Sequence, residues 1–131
     1  MKGEKQGGEM PQDIVERSFQ FAVRIVTLCE YLDAHPGVAR VLMPQILRAG
    51  TSVVSNVEEA QGGQSRADFV SKMAIALKEA RETHVRLRIL AEASVIREKR
   101  LASLITKADE IKRILASIII STKKRGINTV R

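Results

Sequence analysis

Glu79, Glu82 and His84 form the densest grouping of acid–base and metal-ligating side chains in this sequence of 131 residues. A carboxylate-bridged metal pair in a helical bundle needs a Glu from each of two helices and a Glu-x-x-His step from each of the other two, all turned inward. His84 stands two residues beyond Glu82, and helical spacing turns it onto another face. His35 falls beside Pro36 and Gly37, in a turn. Two His and one Cys make an unusual ligand set for zinc. Gly-rich phosphate loops and nucleophile elbows are lacking. The sequence therefore predicts no enzyme, with no catalytic, cofactor-binding or metal-binding residues. Cys29, on an apolar stripe, reads as a small buried hydrophobe rather than a reactive thiol.

Charge is the stronger signal. The net charge is +7, yet residues 1–93 hold 12 basic and 12 acidic side chains, whereas residues 94–131 hold 10 basic and 3 acidic. The last quarter thus dominates long-range attraction to polyanions. Arg97, Lys99, Arg100, Lys107, Lys112, Arg113, Lys123, Lys124 and Arg125 lie in or beside the last apolar-periodic segment, outside its core stripe. Arg86, with Arg81 and Arg88, adds charge from the preceding one. Such residues neutralise phosphates, release counterions, and bind nucleic acid with strong salt dependence and little sequence preference. The same residues would also serve as an ordinary solvated helix face. Aromatic content of 3% without Trp excludes a stacking platform for single-stranded bases.

Four amphipathic helices must position these residues. The first is predicted from about Ile14 to Asp33, with Ile14, Ser18, Ala22, Ile25, Cys29 and Leu32 inward, capped by Asp13 and ended by His35-Pro36-Gly37. The second runs from about Val38 to Ala60 on a stripe of Leu42, Ile46, Ala49, Val53, Asn56 and Ala60. Pro44 lies inside it and should kink the axis or mark a start near Leu42. The third begins near Ser65, whose hydroxyl precedes Asp68 by three positions in an acidic capping box, and fades by Ser94. The fourth spans about Arg97 to Thr122, with Leu101, Leu104, Ala108, Ile111, Leu115 and Ile118 inside.

Short connections favour an antiparallel up-down-up-down bundle in one domain. The expected organisation is a disordered leader over 1–12, the bundle over 13–123, and a basic flexible tail over 124–131. No apolar run reaches the length of a membrane span and no signal peptide is visible, so a cytoplasmic chain is expected. Apolar residues off the main stripes, namely Phe21, Val23, Leu28, Val41, Leu47, Val54, Ile114, Ile119 and Ile120, suggest an oligomer interface.

The segment Arg48 to Ala60, RAGTSVVSNVEEA, carries Gly50, Ser52 and Asn56 where a buried face is expected. Gly50 costs about 1 kcal/mol relative to Ala in a helix interior, which close approach by a neighbour would explain, with Phe19 or Phe69 opposite. Asn56 on the stripe requires partners, for which Glu59, Lys78 and Glu82 are candidates. A helix-turn-helix reading fails: its core position would fall on Asn56, and its recognition helix would carry Glu58 and Glu59 against phosphates.

QFAVRIVTLCEYL (Gln20 to Leu32), PQILRAGTSVVSNVEEA (Pro44 to Ala60) and SRADFVSKMAIALKEARETHVRLRIL (Ser65 to Leu90) occur in order at helix-pair spacing. Together they resemble the four-helix-bundle proteins encoded in intervening sequences of bacterial 23S ribosomal RNA genes, the S23-like family, over about residues 14–123. The resemblance implies a homopentameric ring. It extends to the accessory proteins of diversity-generating retroelements, whose basic surface binds a reverse transcriptase and nucleic acid. The chain departs from the usual pattern after Glu82-Thr83, where Val85 and Arg86 replace a common Tyr-Trp pair. The leading expectation is a non-enzymatic homo-oligomer that binds RNA or DNA through its basic C-terminal helix. The alternative is a protein-interaction adaptor, such as a reverse-transcriptase accessory subunit, without direct nucleic-acid binding.

Overall fold

The computed structural model describes the backbone of residues 9–130 and the side chains of residues 13–126 apart from Glu98 and Arg100. It contains four helices, α1 (Glu9–Asp33), α2 (Val38–Gln61), α3 (Arg66–Glu92) and α4 (Glu98–Val130), and no strand among the described residues. Each helix packs against the next, and α1 also packs against α4. No helix among the described residues is long and apolar enough to cross a membrane.

Local chemistry accounts for the helix ends. Helix α1 begins about a turn before Ile14, at Glu9, which places Pro11 in the first turn, where its missing N–H has no intrahelical partner to lose. Residues 1–8 of the expected leader lie outside the described residues. Arg40 closes the first turn by donating from Nε and Nη2 to the Asp33 carbonyl at 3.0 and 2.9 Å. Gly37 there takes φ 109°, a conformation open to glycine without strain.

Helix α2 continues from Val38 through Pro44, so Leu42 is not its start. At α3, Ser65 Oγ accepts the Asp68 N–H at 3.0 Å, the forward half of the expected capping box. The α3–α4 turn is stabilised by the Val95 N–H donating to Leu90 O at 3.0 Å, with Ser94 in left-handed geometry at φ 58°. Helix α4 runs beyond the expected Thr122, to Val130. A single glycine, Gly126, does not stop it, because one Gly costs a helix only about 1 kcal/mol.

The core follows the predicted stripes with three changes, the first being that Ile119, read from the sequence as off the stripe and part of an oligomer interface, is buried beside Ile118. Phe21, read from the sequence as lying off the stripe, is buried, since α1 contacts both α2 and α4 and so buries a wider arc. Val57 takes the buried position expected of Asn56. Among the described residues no buried polar side-chain atom lacks a hydrogen-bond partner. Ser18, Thr83 and Thr122 each donate to a backbone carbonyl three or four residues back.

Candidate nucleic-acid interface

The basic side chains divide by what they touch. On α3, Arg86 is half-buried and donates to Glu82 Oε1 at 3.3 Å. That carboxylate also accepts from Arg48 Nη2 at 3.0 Å, while Arg48 Nη1 bonds the buried Glu79 at 3.1 Å. The Arg48 hydrogen bond holds the Glu82 carboxyl below its ordinary value. Arg86 and Arg48 therefore belong to an α2–α3 polar seam rather than to an open cationic face.

That seam replaces the one predicted around Asn56. The Asn56 amide is half-buried and donates to Ser52 O of its own helix at 2.9 Å. Glu59 pairs instead with Lys72 at 3.2 Å. The expected close approach at Gly50 is present, but Ile25 fills the space instead of Phe19 or Phe69.

Along α4 the middle cations are paired. Lys107 reaches Glu110 at 3.4 Å, Lys112 reaches Asp109 at 3.3 Å, and Arg113 donates to Asp109 at 2.9 Å. Lys112 foremost, helped by Arg113, holds the Asp109 carboxyl below its usual range. Arg97, Lys99, Lys123 and Lys124, towards the two ends of the helix, are exposed and have no ion-pair partner among the described residues. Arg125 donates to Thr122 Oγ1 at 3.3 Å. The Arg100 side chain lies outside the described residues. Arg66, passed over in the sequence, joins the C-terminal group: its Cδ lies 3.1 Å from where a Gly126 side chain would begin. Sixty residues separate the two in the chain, so only the α3–α4 packing brings them together.

Between α3 and α4 a cleft of about 440 Å³ is lined by His84, Arg88, Ala91, Glu92, Ile105, Thr106 and Asp109. Lys112 Nζ lies 3.2 Å from His84 Nδ1. An ammonium only donates, so this ring nitrogen accepts and Nε2 carries the proton. Burial first, then Lys112 and Arg88, lower the His84 pKa and keep the ring neutral. Among the described residues no group of three His, Cys, Asp or Glu is placed to hold a metal ion. The Cys29 thiol is pushed up to about 11 by burial and so lacks thiolate character.

Fold and surface together define an all-α, four-helix protein that carries exposed cations without an ion-pair partner among the described residues towards both ends of its last helix. The family model of the 23S rRNA-intervening sequence protein matches residues 11–117, and the chain belongs to that family. Among solved structures it is similar to a protein of unknown function from the S23 ribosomal protein family of Bacteroides thetaiotaomicron VPI-5482. That similarity amounts to 40% identity over 84% of this chain and 97% of the other, with a TM-score of 0.77. No curated protein matches the sequence.

Proposed function

We propose that this chain is a non-enzymatic, homo-oligomeric, antiparallel bundle that binds nucleic acid, RNA foremost, through its C-terminal helix. The observation that carries the reading is the set Arg97, Lys99, Lys123 and Lys124, exposed and without an acidic partner among the described residues. Unpaired cations are the ones free to replace condensed counterions on a phosphate backbone. Antiparallel packing is supported by the order of cross-helix contacts. From Glu59–Lys72 to Arg48–Glu79, one partner's number falls as the other's rises, and Arg24–Ser103 to Arg17–Glu110 repeats the pattern. Cytoplasmic residence fits a lone buried thiol.

Filter binding at two salt concentrations tests this function. Binding to RNA should be measurable at low salt and fall steeply as salt rises. Undetectable binding at low salt, or affinity indifferent to salt, refutes it.

A protein-adaptor role, of the kind a reverse-transcriptase accessory subunit plays, is the second reading. Phe19, Val23 and Val26 favour it, because they recur at helical spacing on α1 and are exposed. Capture of a partner that survives nuclease treatment would support this role over direct nucleic-acid binding.

A further inference from the structure

Three of the basic residues of α4 share one line. At about 100° per residue, Lys99, Arg113 and Lys124 fall within roughly 40° of one another, opposite the buried stripe of Leu101, Ala108 and Leu115. This is the outermost line of the helix. Between the three cations it carries the exposed short side chains of Thr106 and Ser117, with Glu110 about 40° off its middle and held by Lys107 at 3.4 Å and Arg17 at 3.5 Å. At 1.5 Å rise per residue, Lys99 and Lys124 stand ~37 Å apart. One turn of B-form duplex, after which the same face of the phosphate backbone returns, is roughly 34–36 Å. Arg113 is exposed between them, its charge partly offset by Asp109.

We infer that the preferred ligand is a double helix lying along α4. Lys99 and Lys124 grip phosphates one turn apart, and the centre of the line contributes less. This deepens the nucleic-acid reading and rests on it. A single strand of equal charge can reach both lysines only by giving up conformational freedom, and the low aromatic content provides no stacking to offset that loss. A rigid duplex presents both contacts already spaced.

The test compares duplexes of 8 and 16 base pairs, as DNA and as RNA, with single strands of matched phosphate number. A B-form DNA duplex of 8 base pairs spans ~27 Å and reaches one lysine at a time, whereas 16 base pairs span ~54 Å and reach both, at about 3.4 Å per step. The 16-base-pair duplex should bind at least about tenfold tighter than the shorter one after correction for the number of sites. Lys99→Gln with Lys124→Gln should abolish that advantage and lower the salt slope by about 1 per lysine. Lys78→Gln, which removes a charge off this line, should leave it intact. Both lysines are exposed, and circular dichroism checks that the double variant folds. Equal affinity for single strands and the longer duplex, or no loss of advantage in the double variant, overturns the inference while salt-sensitive binding itself stands. Absence of binding to every probe overturns both. The matched turn is that of B-form DNA, so the advantage should appear in the DNA arm, and an advantage confined to the A-form RNA duplex overturns the one-turn contact.

Discussion

A methyl group added at Gly50 would sit 2.8 Å from both Cγ1 and Cγ2 of Ile25, which is fully buried. The branched side chain has no free direction in which to swing. Gly50→Ala should therefore lose up to about 2 kcal/mol, since overpacking costs about 1–3 and the gain in helix propensity returns about 1. In an Ile25→Ala background the same substitution should be neutral or stabilising. Urea midpoints of the four proteins measure this, and an equal loss in both backgrounds would show that the contact with Ile25 is not the cause. Ser94 offers the opposite case. Its left-handed backbone is costly for any residue with a side chain, so Ser94→Gly should gain about 0.5–1 kcal/mol after the entropy lost by glycine on folding. A higher urea midpoint at constant m is the expected result.

Pairs of helices are held by polar contacts at distinct places. Between α2 and α3, Arg48 is the partner that keeps buried Glu79 satisfied. Arg48→Ala should lower the urea midpoint clearly more than Arg40→Ala, whose target is an exposed turn. Equal effects would reduce the seam to a surface pairing. Between α3 and α4, His84 is more acidic when folded than when unfolded, so the unfolded chain binds more protons below pH about 6.5. The stability this group contributes is complete above that pH and is lost as pH falls through the lowered folded value. Protonation there also ends acceptance from Lys112 and sets a new charge beside Lys112 and Arg88, with Asp109 partly opposing that repulsion. The urea midpoint of the wild type should fall more between pH 8 and pH 5 than that of His84→Gln. Parallel pH profiles would show that another group is responsible.

Over the whole molecule, exposed aliphatic and aromatic side chains occur on all four helices, Phe19, Val41, Ile89 and Ile120 among them. Scattered residues of this kind are ordinary, but the stripe Phe19, Val23 and Val26 is ordered. In the homo-oligomer proposed above, light scattering should give a multiple of 14.5 kDa, five chains if the assembly is a pentameric ring. Phe19→Asp with Val23→Asp should lower that mass if this stripe is the interface. Wild-type protein with the mass of one chain would remove the assembly, and with it the multivalency that makes weak basic sites effective.

The number of helices, most of their buried positions and the basic bias of the last segment were legible in the sequence, because apolar period and local charge depend on neighbours within a few turns. Ser65, Gly37 and the breaks around them could be read for the same reason. Partners across helices could not. Asn56 and Val57 stand one residue apart, about 100° on a helix, and only the packing angle of α2 against its neighbours decided which faced inward. Arg86 and Lys112 have Glu82 and Asp109 four and three residues away on their own helices, spacings the sequence already offers, whereas His84 beside Lys112 and Arg48 beside Glu82 come only from packing between helices. Arg66 became part of the basic end because α3 starts where α4 finishes. The sequence by itself determined how much charge the last helix carries. It also offered the pairs on that helix, since Lys107, Lys112 and Arg113 each have an acid three or four residues away. Only the tertiary structure set Arg48 against Glu79, Lys112 against His84 and Arg66 against Gly126, because those contacts depend on a few ångströms between residues that chain order leaves far apart.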